Sequence, residues 1–86
     1  MKTDQVIANA QALCDQLKNL GVSVATFGLD SKHKRVKFRF IQMKRTSGLG
    51  LTLLRTDQDI DIKDLDRPMQ QEDLEQWLMK IRLEMA

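Results

Sequence analysis

The 86-residue sequence contains one cysteine, one proline, one tryptophan and no tyrosine. A single cysteine, Cys14, excludes an internal disulfide framework and favours a reducing, cytoplasmic location. No apolar run approaches the roughly 20 residues of a transmembrane helix, and the polar first residues do not resemble a signal peptide. We therefore expect no association with a membrane. The scarcity of aromatic residues predicts a core built mainly from aliphatic side chains.

Charge is distributed unequally along the chain. Residues 1–45 contain nine Lys/Arg and three Asp, whereas residues 46–86 contain five Lys/Arg and nine Asp/Glu. Such an asymmetry can indicate an anionic partner. It can equally mean that the two halves neutralise each other in the folded protein, and this simpler interpretation is the one we favour.

Residues 34–45 form the most clearly two-faced stretch of the chain. Alternate side chains of a β-strand lie on opposite faces. One face of this predicted strand is apolar and suits a core, with Val36, Phe38 and Phe40. The other carries a row of cations, Arg35, Lys37 and Arg39, followed by Ile41. The stretch predicts a sheet with one buried and one charged face.

Two helices flank the predicted strands. Apolar residues recur at helical spacing over 4–20, and Gly21 stands where a C-cap glycine is expected. The stripe of this first helix is Val6, Ala10, Leu13, Leu17 and Leu20. Pro68 ends the preceding segment, and a second helix begins near Gln70. Its stripe is Leu74, Trp77, Leu78, Ile81 and Met85.

Strands are expected at 22–29, 34–45 and 51–55. Turn residues at 30–33 join the first two into an antiparallel hairpin. The polar residues 56–59 predict a further turn, followed by a short fourth strand around residues 60–62. The fold class is therefore α+β: residues 1–86 form a single domain, helix – three- or four-stranded antiparallel sheet – helix, with both helices on one face of the sheet.

The helix–three-strand–helix order is similar to that of double-stranded-RNA-binding domains. Those domains carry a cluster of lysines at the start of the second helix. Here that position reads Gln70-Gln71-Glu72-Asp73, an acidic segment that would repel phosphate. We do not transfer the function of that family to this chain.

The cationic face is the candidate surface for an anionic partner, and its residues are Arg35, Lys37, Arg39, Lys44 and Arg45. Lysine and arginine contacts to phosphates release counterions and would support nucleic-acid binding. The phenylalanines of this strand point to the opposite face, so they cannot form a base-stacking platform beside the cations. The alternative is a solvated face whose cations are neutralised by Asp59 and Asp61 on a neighbouring strand.

No residue pattern predicts catalysis, a cofactor or a metal site. His33 and Cys14 lack an orienting third group at a recognisable spacing. The acidic run that begins at Asp57 lacks the glycine and glutamate of a calcium loop. Gly48-Leu49-Gly50 lacks a Walker lysine, and it predicts a hairpin loop. We therefore expect a protein that is not an enzyme.

Met79 and Leu83 lie four residues apart on the second helix, away from its main stripe. Apolar side chains at positions where polar ones are expected can mark a contact surface, although scattered surface hydrophobic residues are common. We expect a small binding or regulatory module that acts through a protein partner. A second copy of the chain, bound in a homodimer through the second helix, is one candidate partner. Nucleic-acid binding by the cationic face is the alternative.

Overall fold

The computed structural model describes residues 3–45, 48 and 50–85, and the side chains of Lys44, Arg45 and Met85 lie outside the described part. Helix α1 is Thr3–Asn19, strands β1, β2 and β3 are Val24–Asp30, Arg35–Arg45 and Leu51–Asp61, and helix α2 is Gln71–Met85. A 3₁₀ turn, Ile62–Asp64, follows β3. The predicted α+β class and element order are confirmed.

The sheet is antiparallel, with strand order β1-β2-β3. Both helices pack on the face that carries Val36, Phe38 and Phe40, and all three of these side chains are buried. Phe38 stacks on Phe40 with ring centroids 5.8 Å apart, and Phe27 of β1 contacts Phe38 at 6.2 Å. The described residues are only 17 Å thick in their smallest dimension, which fits one layer of helices on one layer of sheet.

Helix α1 ends in the glycine-dependent cap that its sequence predicts. Gly21 has a φ of +106°, in the left-handed region. Its N–H donates to the carbonyl of Lys18, and the N–H of Val22 donates to the carbonyl of Leu17. This pair of bonds is a Schellman motif. Leu20 therefore lies past the helix end and is exposed, so the prediction that it continues the buried stripe is wrong.

The predicted turn at 56–59 and the fourth strand around residues 60–62 are wrong, because β3 continues without interruption from Leu51 to Asp61. Each acidic residue in that segment pairs in register with a cation of β2: Asp57 with Arg39, Asp59 with Lys37 and Asp61 with Arg35. Cross-strand pairs of opposite charge stabilise a sheet. They keep a polar, turn-like sequence in an extended strand.

The predicted hairpin between β1 and β2 is confirmed, but its second strand begins one residue later than expected. Lys34 has a φ of 53°, a left-handed conformation that an extended strand does not contain. The second strand consequently begins at Arg35 rather than at residue 34.

Among the described residues, no helix has both the length and the apolar character to cross a membrane.

Candidate functional site

The face of the sheet opposite the helices, here called the open face, holds the predicted cationic row. Arg35, Lys37 and Arg39 follow one another along β2 on this face. Acidic residues of β3 lie directly beside them, and Asp30 at the end of β1 pairs in register with Arg35. Arg35 therefore lies between carboxylates on both sides, and Lys37 and Arg39 each lie beside a carboxylate of β3, so the row is not an isolated basic patch.

Ion pairs connect the row to these carboxylates. Arg39 Nε lies 3.3 Å from Asp57 Oδ1, and Arg55 Nη2 lies 2.9 Å from Asp57 Oδ2. Arg35 Nη1 lies 3.3 Å from an oxygen of Asp59. Asp30 Oδ2 lies 3.5 Å from Arg35 Nε and 3.8 Å from Lys37 Nζ.

The pKa values of two of these carboxyls are lowered. The hydrogen bond from Arg55 is the main cause of the lowered pKa of Asp57, and a hydrogen bond from His33 is the main cause for Asp30. Both groups remain anionic well below neutral pH. Their negative charges offset the positive charge of the cationic row, which would otherwise attract a phosphate backbone.

A second surface lies on the helical side of the molecule. A groove of about 760 Å³ runs between the C-terminal end of α1 and helix α2. Its apolar lining comes from Leu20, Leu78, Met79 and Leu83, and its polar lining includes Glu75 and Arg82. Met79 is 67% exposed and Leu83 is 72% exposed. The two residues singled out from the sequence thus line one groove together with Leu20, a residue that the helical pattern assigned to the core.

The two sequence candidates for nucleophilic chemistry do not share a site. Cys14 is buried in the core, and burial raises the pKa of its thiol to about 11. His33 lies in the exposed turn between β1 and β2, where its Nδ1 is 2.8 Å from Asp30 Oδ2. The thiol is therefore protonated and shielded.

Asn9 has a structural role that helical periodicity did not reveal. Its side chain is buried, and its Nδ2 donates to the carbonyls of Leu65 and Arg67, both at 2.7 Å. Gln5 Nε2 donates to Asn9 Oδ1 at 3.2 Å. In the sequence, the only sign of this role is that a polar residue lies on the apolar stripe of a helix. The amide therefore holds α1 to the segment that leads into α2.

No family model, curated protein or solved structure matches this chain.

Proposed function

We propose that this chain is a small, non-enzymatic binding or regulatory module of the cytoplasm that acts through a protein partner held in the groove between α1 and α2. The observation that carries the proposal is the exposure of Met79 and Leu83 beside Leu20, because these residues give the groove a continuous apolar lining. Apolar side chains grouped in this way on a small domain are typical of contact surfaces. The cytoplasmic location rests on the single, buried cysteine.

The form of the groove favours a macromolecule over a small ligand. Small-molecule pockets bury most of their ligand's surface, whereas Met79 and Leu83 stand largely in solvent. A cleft between two helices fits the apolar stripe of an amphipathic helix, with anchors three to four residues apart. Glu75 and Arg82 on the same helix would select a partner that presents a cation near the first and an anion near the second.

Nucleic-acid binding by the open face has less support. Arg35, Lys37 and Arg39 each lie within 4 Å of a carboxylate. A phosphate would have to displace these carboxylates or share the cations with them, and both weaken the electrostatic attraction on which nucleic-acid affinity depends. The side chains of Lys44 and Arg45 lie outside the described part of the chain, so the comparison with neighbouring carboxylates does not extend to them.

Affinity capture from the native cell tests the proposal. The wild-type chain is compared with a double variant, Met79→Lys with Leu83→Lys, and with Ile7→Lys as the matched control. Ile7 is an exposed apolar residue of α1, and it does not line the groove. Each sample is divided, and nuclease is added to one half.

We expect a protein that the wild type and the control retain, that the double variant loses and that nuclease does not release. Two charged side chains in the groove should weaken binding by about tenfold or more. Identical partners for the wild type and the double variant would contradict the groove assignment. Partners released only by nuclease would favour the nucleic-acid alternative.

A further inference from the structure

The charges on the open face of the sheet neutralise each other within one chain. The charged part of this face is also complementary to itself. Its β2 column carries three cations and its β3 column carries three carboxylates at the same levels, because Arg35 pairs with Asp61, Lys37 with Asp59 and Arg39 with Asp57. The columns also differ in length, since arginine and lysine are long side chains and aspartate is short. Long cationic and short anionic side chains thus run in parallel columns on one face.

The far end of the open face carries mainly apolar residues, together with Arg55, which pairs with Ile41, and Arg45, which pairs with Leu51. Ile41 and Met43 continue the β2 column, and Leu53 and Leu51 continue the β3 column in register with Met43 and residue 45. Leu51, Leu53 and Met43 are 64%, 65% and 55% exposed. Val24 of β1 pairs with Ile41 and is also exposed. Exposed apolar side chains grouped at one end of a sheet mark a surface that a partner covers.

We propose that the open face binds a second copy of this chain, with the two sheets packed face to face around a twofold axis that runs parallel to the strands between β2 and β3. Rotation about this axis places the β2 column of each copy over the β3 column of the other. Each residue keeps its position along the strand direction, so residues that pair in register within one chain face each other across the interface. Lys37 then faces Asp59 of the second copy, and Met43 faces its Leu53. The three charged levels and the level of Met43 and Leu53 thus each meet a complementary level, whereas Ile41 faces Arg55.

The packing distance agrees with this arrangement. Two sheets that pack face to face lie about 10 Å apart, and their side chains interdigitate. At the three charged levels, long side chains of one copy lie over short ones of the other and fill that space. The apolar end supplies the affinity, and the charged end fixes the register, since buried ion pairs contribute more to specificity than to binding strength.

A second copy suits the open face better than it suits the helical groove. A twofold dimer uses the same patch on both copies, so the patch must be complementary to itself. The groove between α1 and α2 is concave, and two identical concave surfaces cannot fill each other. The inference goes beyond the proposed function, because it uses none of the residues that line the groove.

Analytical ultracentrifugation of the wild type and two single variants tests the dimer. Lys37→Glu and Asp59→Lys change exposed side chains on neighbouring columns, and Ile7→Lys is again the control. In the dimer each variant creates two like-charge contacts across the twofold axis, so we expect dimer dissociation constants at least about tenfold higher. Circular dichroism confirms that every variant is folded.

The decisive sample is an equal mixture of the two variants. In the mixed dimer, Glu at position 37 of one chain faces Lys at position 59 of the other, and the second half of the interface keeps the native pair. The mixture should therefore recover dimers that neither variant forms alone. A shift caused by the loss of an internal ion pair would not be rescued by mixing.

Three results would overturn the inference. The first is a wild type that stays monomeric at millimolar concentration. The second is a mixture that remains monomeric like its components. The third is a dimer that survives both sheet variants but is lost when Met79 and Leu83 are changed to lysine, which would place self-association on α2.

Discussion

Replacing Asn9 with alanine should destabilise the protein far more than its place on a helix would indicate. The side chain is only 6% exposed and donates to two carbonyl groups at 2.7 Å. Each hydrogen bond contributes about 0.5–1.5 kcal/mol net, and a buried carbonyl left without a donor adds to the loss. Alanine regains up to about 0.7 kcal/mol in helix propensity. The expected loss in unfolding free energy is about 1–3 kcal/mol.

Urea denaturation followed by circular dichroism measures this loss, and Gln11→Ala is the matched control. Gln11 is on the same helix, and its amide also makes a short hydrogen bond, 2.8 Å to Asp15, but on the exposed surface. That variant should stay within about 0.5 kcal/mol of the wild type. If Asn9→Ala were as mild as the control, the amide would not be holding α1 to the segment before α2.

Three further predictions concern single residues. Gly21→Ala should cost about 1–2 kcal/mol, because an added Cβ has open space around it but the left-handed backbone remains unfavourable; thermal unfolding measures it. Cys14, with its pKa raised to about 11, should react with a thiol reagent in urea and hardly at all in the native protein. Asp57 has a pKa below its ordinary value of 3.8, mainly because Arg55 donates a hydrogen bond to it. Its contribution to stability is present above the ordinary pKa of 3.8 and is lost as pH falls through the lowered pKa, so Asp57→Asn should flatten the acid limb of the stability profile.

The sequence contained enough information for the elements whose patterns are local. Alternation along residues 34–45 predicted the buried and charged faces of β2, and both outcomes follow from strand geometry alone. Gly21 predicted the end of α1 within one residue, because few other residues adopt the backbone conformation of its cap. The proposal that Asp59 and Asp61 lie beside the cations is also confirmed by the register of β3.

Features that depend on tertiary pairing could not be predicted in the same way. Thr56–Asp59 has the composition of a turn, and only its pairing with β2 keeps it extended. Leu20 matched the helical spacing, yet α1 ends at Asn19, so Leu20 lies past the last turn and is exposed. The acceptors of Asn9 lie 56 and 58 residues away in the chain, and helical periodicity gives no information about contacts at that separation.

The two proposed surfaces lie on opposite sides of the sheet, and this placement has a consequence for binding. Helices α1 and α2 cover the face away from the open face, so a face-to-face dimer would carry its two grooves on its outer surfaces. Neither interface then uses a residue of the other. Titration calorimetry should give the same partner affinity per groove for the wild type and for monomeric Lys37→Glu. On a surface dense in immobilised partner, the wild type should dissociate more slowly, because the dimer engages two partners at once. A loss of intrinsic affinity in the monomeric variant would show instead that the groove depends on the dimer, and the two surfaces could not be treated as independent.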